Sequence, residues 1–175
     1  MNRQLIGIMA CTHSGVIGLG GKVPWKYEGE FKHFQEVTEK ETVIMGRKTF
    51  DEMRELSLLK TRNNIVFTRN LSLKKYYQAT NIRFVHSLLE FKKIVIPENS
   101  NAYMIGGREI AKLFLENDMI SEFLSTKIHK EYKGDSYFPL SQVKDWQSKI
   151  ISSCTDYTIH KYTKKLTENI KGGSL

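Results

Sequence analysis

VIMGRKTF, residues 43–50, is an apolar run that stops at Gly46, followed by two cations, with Thr49 set three residues before Glu52 in capping-box spacing. A buried strand turning through a glycine into a helix start offers free backbone N–H groups at the positive end of the helix dipole, a place attractive to anions. Arg47 and Lys48 add mobile charge there. The spacing predicts a helix beginning near residue 49. Taken alone, the stretch equally fits an ordinary strand-to-helix turn with solvated cations. It is not a Walker-type loop, because Arg47 separates Gly46 from Lys48 and no glycine lies five residues before Gly46.

YMIGGREI, 103–110, repeats the plan with Gly106, Gly107 and Arg108, ahead of a helix predicted over 108–116 with Ile110 and Phe114 on one face. NNIVFTRN, 63–70, is a third strand that ends in a hydroxyl and a cation, Thr68 and Arg69. Ligands of open α/β sheets bind outside the strands' carboxyl ends. Three such ends suggest one extended polyanion, for example a dinucleotide carrying an additional phosphate. It would not be an ordinary Rossmann site, since Gly18 and Gly20 are followed by Val23 where the fingerprint needs a glycine.

Outward from these tips, 4–11 reads as a further buried strand, and 29–39 has helical spacing with Glu30, Phe34 and Val37 on one stripe. Ser87 and Glu90 form a second capping box, so a helix is expected to start near 87. After residue 119 the pattern turns to β, in ISEFLSTKI, WQSKIISS and DYTIHKYTKK. Alternating strands and helices imply a mainly parallel sheet covered on both faces, finished by an antiparallel C-terminal pair. Residues 1–166 read as one domain and 167–175 as a flexible tail.

At 175 residues and 40% hydrophobic content, the chain can build one sizeable core. Its net charge of +8 favours an anionic partner, either nucleic acid or a phosphorylated small molecule. Nucleic acid is disfavoured, because the aromatics fall at core positions instead of interleaving with cations. Cys11 and Cys154 match no metal-ligand spacing and read as reduced thiols of a cytoplasmic protein, with no metal expected. LIGIMAC is too short for a signal peptide's apolar core, and no run reaches membrane-spanning length.

GVIGLGGKVPWKYEGEFKHF, 15–34, packs four glycines, at 15, 18, 20 and 21, ahead of Pro24-Trp25, and reads as a mobile loop after the first strand. Two readings stand for Glu30: a first-turn acid favoured by the helix dipole with its head in water, or the single acid of a ligand pocket. As a pocket acid it would bond a cationic or amidine-like group on a flat heterocycle. Burial would raise its pKa and the helix N-terminus would lower it.

The series Ile8-x-Ala10, Val16-Ile17-Gly18, Pro24-Trp25, Glu30-Phe31-x-x-Phe34, residues 43–50, Arg62-x-Asn64-Ile65-Val66, Ile105-Gly106-Gly107, Thr126 and Gly134-Asp135-x-x-Phe138-Pro139 resembles dihydrofolate reductase. The likeness runs from residue 4 to about 165, Asp145-Trp146 included. It implies a single-domain α/β fold of that family, with a mainly parallel eight-stranded sheet and helices on both faces. It also implies hydride transfer from NADPH to dihydrofolate.

In that resemblance Arg47, Thr68 and Arg69 surround the 2′-phosphate, while Lys48, Thr49, Gly106, Gly107, Arg108, Glu109 and Ile110 lie about the pyrophosphate. Ala10, Ile17, Gly18, Gly21, Lys22, Gly46, Ile105 and Asp135 complete the cofactor side. His86 is either an adenine-side contact or a surface histidine before a helix cap. Glu30 would hold the pterin edge with Thr126 bonded to its carboxylate and Trp25 holding a water. Ile8, Phe31, Phe34, Met53, Leu59 and Ile105 would line the substrate, and Arg62 would pair with its tail carboxylate.

Many relatives have Asp where Glu30 stands, and Ala111 replaces the usual aromatic against the nicotinamide, an expected gap. The 54–61 stretch is longer than the family's loop. The implied state is a monomer that binds antifolate inhibitors. The rival reading is another NADPH-dependent pterin or pyrimidine reductase of the same fold, which would not be expected to combine Trp25, Glu30 and Thr126.

Overall fold

β1 (Leu5–Thr12) lies in the interior of the sheet with both faces covered, which is why it reads as a near-continuous apolar run. The computed structural model describes residues 5–70 and 72–165. There follow β2 (Val16–Gly18), α1 (Glu28–Thr38), β3 (Thr42–Gly46), α2 (Arg47–Glu55), β4 (Asn63–Phe67), α3 (Leu73–Tyr76) and β5 (Ile82–Val85). Then come α4 (Leu88–Phe91), β6 (Ala102–Gly106), α5 (Arg108–Glu116), β7 (Ile120–Ile128), β8 (Ser136–Tyr137), a 3-10 turn (Leu140–Gln142), β9 (Gln147–Ser153) and β10 (Tyr157–Thr163).

The main sheet has eight strands in the order β5-β4-β3-β6-β1-β7-β10-β9. Pairings are parallel from β5 through β7, and β10 is antiparallel to both β7 and β9. The α/β class, the parallel sheet and the antiparallel finish are thus as expected. Sequence neighbours sort to opposite faces with period two. Ile8, Met45 and Ile105 join Phe50 and Met53 in one cluster, with Phe34 and Val37 of α1 packed against it. Ile44 and Met104 join Ile110 and Phe114 of α5 in the other. Phe50 and Phe114 are wholly buried, and each such side chain contributes about 1.5–3 kcal/mol.

Several expectations need correction. The helix expected near residue 49 begins at Arg47: Gly46 is its N-cap, with no side-chain cap bond, so the Thr49–Glu52 spacing caps nothing. Ser87 does cap α4, its Oγ accepting from the Glu90 N–H at 3.2 Å. The glycine loop is not loose throughout. Val16–Gly18 pairs antiparallel with β8, because Gly134 makes room for it: a Cβ there would come 2.4 Å from Val16 Cγ1. Gly20 and Gly21, with φ of 59° and 81°, then close a two-residue hairpin between Leu19 and Lys22. Ala111, where the usual aromatic is missing, is wholly buried in the cluster that also holds Phe114. The expected tail, 167–175, lies outside the described residues, as does residue 4 of the first strand. Among the described residues no helix is long and apolar enough to cross a membrane.

Candidate active site

β3 and β6 are parallel neighbours with Met45 opposite Gly106, so their carboxyl ends bring Gly46 and Gly106–Gly107 side by side. These tips are tight: a Cβ on Gly46 would come 3.1 Å from Ile110 Cγ1, and one on Gly106 2.9 Å from Met9 Cε. The Gly106–Gly107 peptide is cis, and Gly106 has φ +108°. α2 and α5 start directly at these glycines, neither with a side-chain cap. Two sets of free first-turn N–H donors therefore sit next to each other, a donor set that fits a pyrophosphate.

Cations ring the same ends. Lys48, Arg69 and Arg108 are exposed, and Arg47 pairs with Asp51 one helical turn on. Thr68 is buried, its Oγ1 accepting from the Asn70 N–H at 3.0 Å. His86 lies 2.8 Å from Glu90, and that carboxylate also accepts the His86 N–H at 3.0 Å.

Glu30 stands in the first turn of α1, half-buried, and burial pushes its carboxyl up to about 7, opposed by the Trp25 indole N–H. Trp25 Nε1 is itself buried without a hydrogen bond of normal geometry, so its contact with the carboxyl is long or poorly aligned. A carboxyl that changes protonation near neutrality can hold and deliver a proton at physiological pH. Thr126, on β7 opposite Ala10, is buried. The expected Thr126 bond to the carboxylate is not formed, the acid being influenced by its burial and by Trp25 instead. Tyr157 of β10 also flanks the acid: a Cβ on Gly29 would come 2.5 Å from its hydroxyl. That hydroxyl's pKa is raised, mainly by burial, with Glu30's charge contributing. Sequence reasoning missed Tyr157 because only the β7–β10 pairing carries it to α1.

Ile8, Met53, Leu59 and Ile105 share one buried cluster, with Phe34 against it. Phe31, Leu19 and Val23 stay exposed at 37%, 49% and 42%. Arg62 is 3% exposed, and its guanidinium is committed within the protein. Nε donates to Thr38 Oγ1 (3.1 Å), Nη1 to Leu58 O (2.7 Å) and Thr61 Oγ1 (3.1 Å), and Nη2 to Gln35 O (3.2 Å). Four of the five donors are used, so the group expected to meet a ligand carboxylate first of all ties the end of α1 to the 58–62 turn. Arg62→Leu strips these buried acceptors of their donor and is expected to cost roughly 2–4 kcal/mol. An unshifted urea midpoint would contradict that structural role.

The hairpin is held over this region by Asp135, expected on the cofactor side, and by two acids of α2, Glu52 and Glu55, to which sequence reasoning assigned no such part. Glu52 Oε1 accepts the Val23 N–H at 3.0 Å, Lys22 Nζ is 3.1 Å from Glu55, and Asp135 Oδ2 accepts the Gly20 N–H at 2.9 Å. The signal was the acidic spacing on α2, visible but without an address.

Comparison with known proteins adds to this geometry. A family profile described as dihydrofolate reductase matches residues 4–168. The chain is 35% identical over 138 residues to a dihydrofolate reductase of Lactococcus lactis, covering 78% of each. It is 33% identical to dihydrofolate reductase type 8 of Escherichia coli over 171 residues, 94% of this chain and 99% of that one. A dihydrofolate reductase of Pneumocystis carinii is 30% identical over 167 residues, 85% and 81% of the two chains.

Proposed function

This chain belongs to the dihydrofolate reductase family, and from that premise we propose that its cleft holds dihydrofolate against NADPH, with Glu30 as the acid serving the pterin. It is an oxidoreductase that reduces 7,8-dihydrofolate to 5,6,7,8-tetrahydrofolate with a pyridine-nucleotide cofactor. The observation that carries the site reading is the half-buried Glu30 carboxyl, with a pKa raised to about 7.

When bound, the reduced nicotinamide supplies the hydride for C6. The protein's part is to bind, orient and exclude water. The uncapped first turns of α2 and α5, with Lys48, Thr49 and residues 106–110, would hold the pyrophosphate. Arg47, Thr68 and Arg69 would take the 2′-phosphate, and His86 would stand on the adenine side. Ala10, Ile17, Gly18, Gly21, Lys22, Ile105 and Asp135 would border the nicotinamide end, the last by positioning the hairpin.

Glu30 would bond the pterin's N3 and 2-amino edge and, through solvent beside Trp25, supply the proton taken by N5. Thr126 would support that carboxyl once it turns to the pterin. Ile8, Phe31, Phe34, Met53 and Leu59 would pack the rings. Arg62 retains one unassigned donor for the tail carboxylate. The enzyme would act as a cytoplasmic monomer open to pterin-like inhibitors.

Dihydrofolate added with NADPH should give steady loss of reduced-nicotinamide absorbance, blocked by such an inhibitor. No turnover with dihydrofolate or folate would overturn the reading. Charge-assisted bonds to the 2′-phosphate are worth roughly 1.5–3 kcal/mol each, so NADH is expected to bind about tenfold to a few-hundredfold more weakly than NADPH. Equal dissociation constants in a fluorescence titration would remove Arg47, Thr68 and Arg69 from that role.

A further inference from the structure

The sheet face turned away from the folate cleft has a cavity of its own. Phe123, Ser125 and Lys127 of β7 lie opposite Tyr162, His160 and Thr158 of β10, on the reverse side from Thr126. The 138–144 segment crosses over them and encloses about 250 Å³. Its walls are apolar and aromatic: the Phe123 and Phe138 rings stand 5.0 Å apart at 55°, with Leu140 and Val143 beside them. Its polar lining residues are Ser125, Tyr162, Lys127 and Lys144.

No Asp or Glu is among the residues lining this space. The partly buried Lys127 Nζ donates to the Cys11 sulfur at 3.1 Å, a weak acceptor. Among the described residues neither Lys127 nor Lys144 is in an ion pair, and Glu122, on the same strand as Lys127, is taken by Lys161. The charged residues lining the cavity, Lys127 and Lys144, are both cations. A partly buried ammonium without a counter-ion is costly, and an incoming anion relieves that cost.

The volume decides the size of that anion. With roughly 30 Å³ per water in the liquid, the space admits a one-ring molecule and excludes a dinucleotide or a pterin with its tail. The larger cavity at the edge strand β5, about 490 Å³, is bordered by Lys74, Arg83 and Lys93 but also by Glu90, and so lacks the same unopposed charge. We propose that the cavity between β7, β10 and the 138–144 segment binds a small aryl carboxylate, its ring beside Phe123 and Phe138 and its carboxylate on Lys127. The site is separate from the folate cleft and does not rest on the residue roles assigned there.

The test is a benzoate titration of the full-length protein with the folate cleft filled by a pterin inhibitor, read by amide NMR shifts and calorimetry. Saturable binding is expected, with shifts concentrated in 123–127 and 138–144. Benzamide, the neutral isostere, and the Lys127→Met variant should each weaken it at least about tenfold. Inorganic phosphate, which lacks the ring, should bind more weakly than benzoate. Val143→Phe, which fills the space and leaves the charge, should abolish binding and keeps the test decisive should Lys127→Met lower the melting temperature. Equal affinity for benzamide, phosphate binding as tight as benzoate, unchanged binding by Val143→Phe, or the absence of localised saturable shifts overturns the proposal.

Discussion

Replacing Glu30 with Gln is expected to lower dihydrofolate turnover roughly 10²–10⁴-fold while NADPH affinity changes little. The amide keeps the shape of the side chain but can neither carry the pterin's charge nor hand on a proton. The strand tips proposed to bind the nucleotide belong to other elements, so a fluorescence titration with NADPH should be nearly superimposable on that of the parent. Full activity in the variant would remove Glu30 from the chemistry. In the parent, activity that depends on the protonated acid should fall as pH rises past about 7.

The same carboxyl also affects stability. Its pKa is raised from 4.5 to about 7 in the folded ligand-free protein, so its titration favours folding at low pH. That contribution is fully present below the unfolded value and is lost as pH climbs through the 4.5 to 7 window, a swing on the order of 3 kcal/mol. Glutamine does not titrate. Glu30→Gln should therefore be more stable than the parent above pH 7 and lose that advantage towards pH 4.5, as seen in denaturation midpoints across pH. A parallel pH dependence in both proteins would mean that the acid is solvated.

The second large effect is expected at Gly106. Its φ of +108° is a conformation that side-chain-bearing residues rarely adopt, and an added Cβ would lie 2.9 Å from Met9 Cε. Backbone strain and overpacking together put the cost of Gly106→Ala at roughly 2–5 kcal/mol. For a protein of this size that corresponds to a fall in melting temperature of about 5–15 °C. The change also displaces the end of β6 from the first turns of α2 and α5, so NADPH should bind more weakly even well below the melting temperature. A variant that melts with the parent and binds NADPH as tightly would show that the tip relaxes at no cost.

Local signals carried far in this chain. The runs at 42–46 and 101–106 each end in a glycine that stops the strand, and α5 spans Arg108–Glu116, as its Ile110–Phe114 spacing indicates. β5, a four-residue edge strand, has too short an apolar run to stand out, and β2 and β8 exist only because each pairs with the other. The capping-box spacing is real at Ser87 and empty at Thr49. The difference lies in where the preceding strand ends: Gly46 already occupies the cap position three residues before Thr49.

The four apolar strands before residue 107, the glycine-bounded tips and the placing of Glu30 on the apolar stripe of α1 were legible in the residues themselves, since each depends on spacing within about a dozen positions. Arg62's commitment to α1, the arrival of Tyr157 beside Glu30, the acids of α2 under the hairpin and the rise of one carboxyl's pKa to about 7 were decided by the tertiary structure. The physical reason is that burial and hydrogen-bond partners come from segments far apart in the chain, and only their packing sets the local dielectric and the distances on which charge depends.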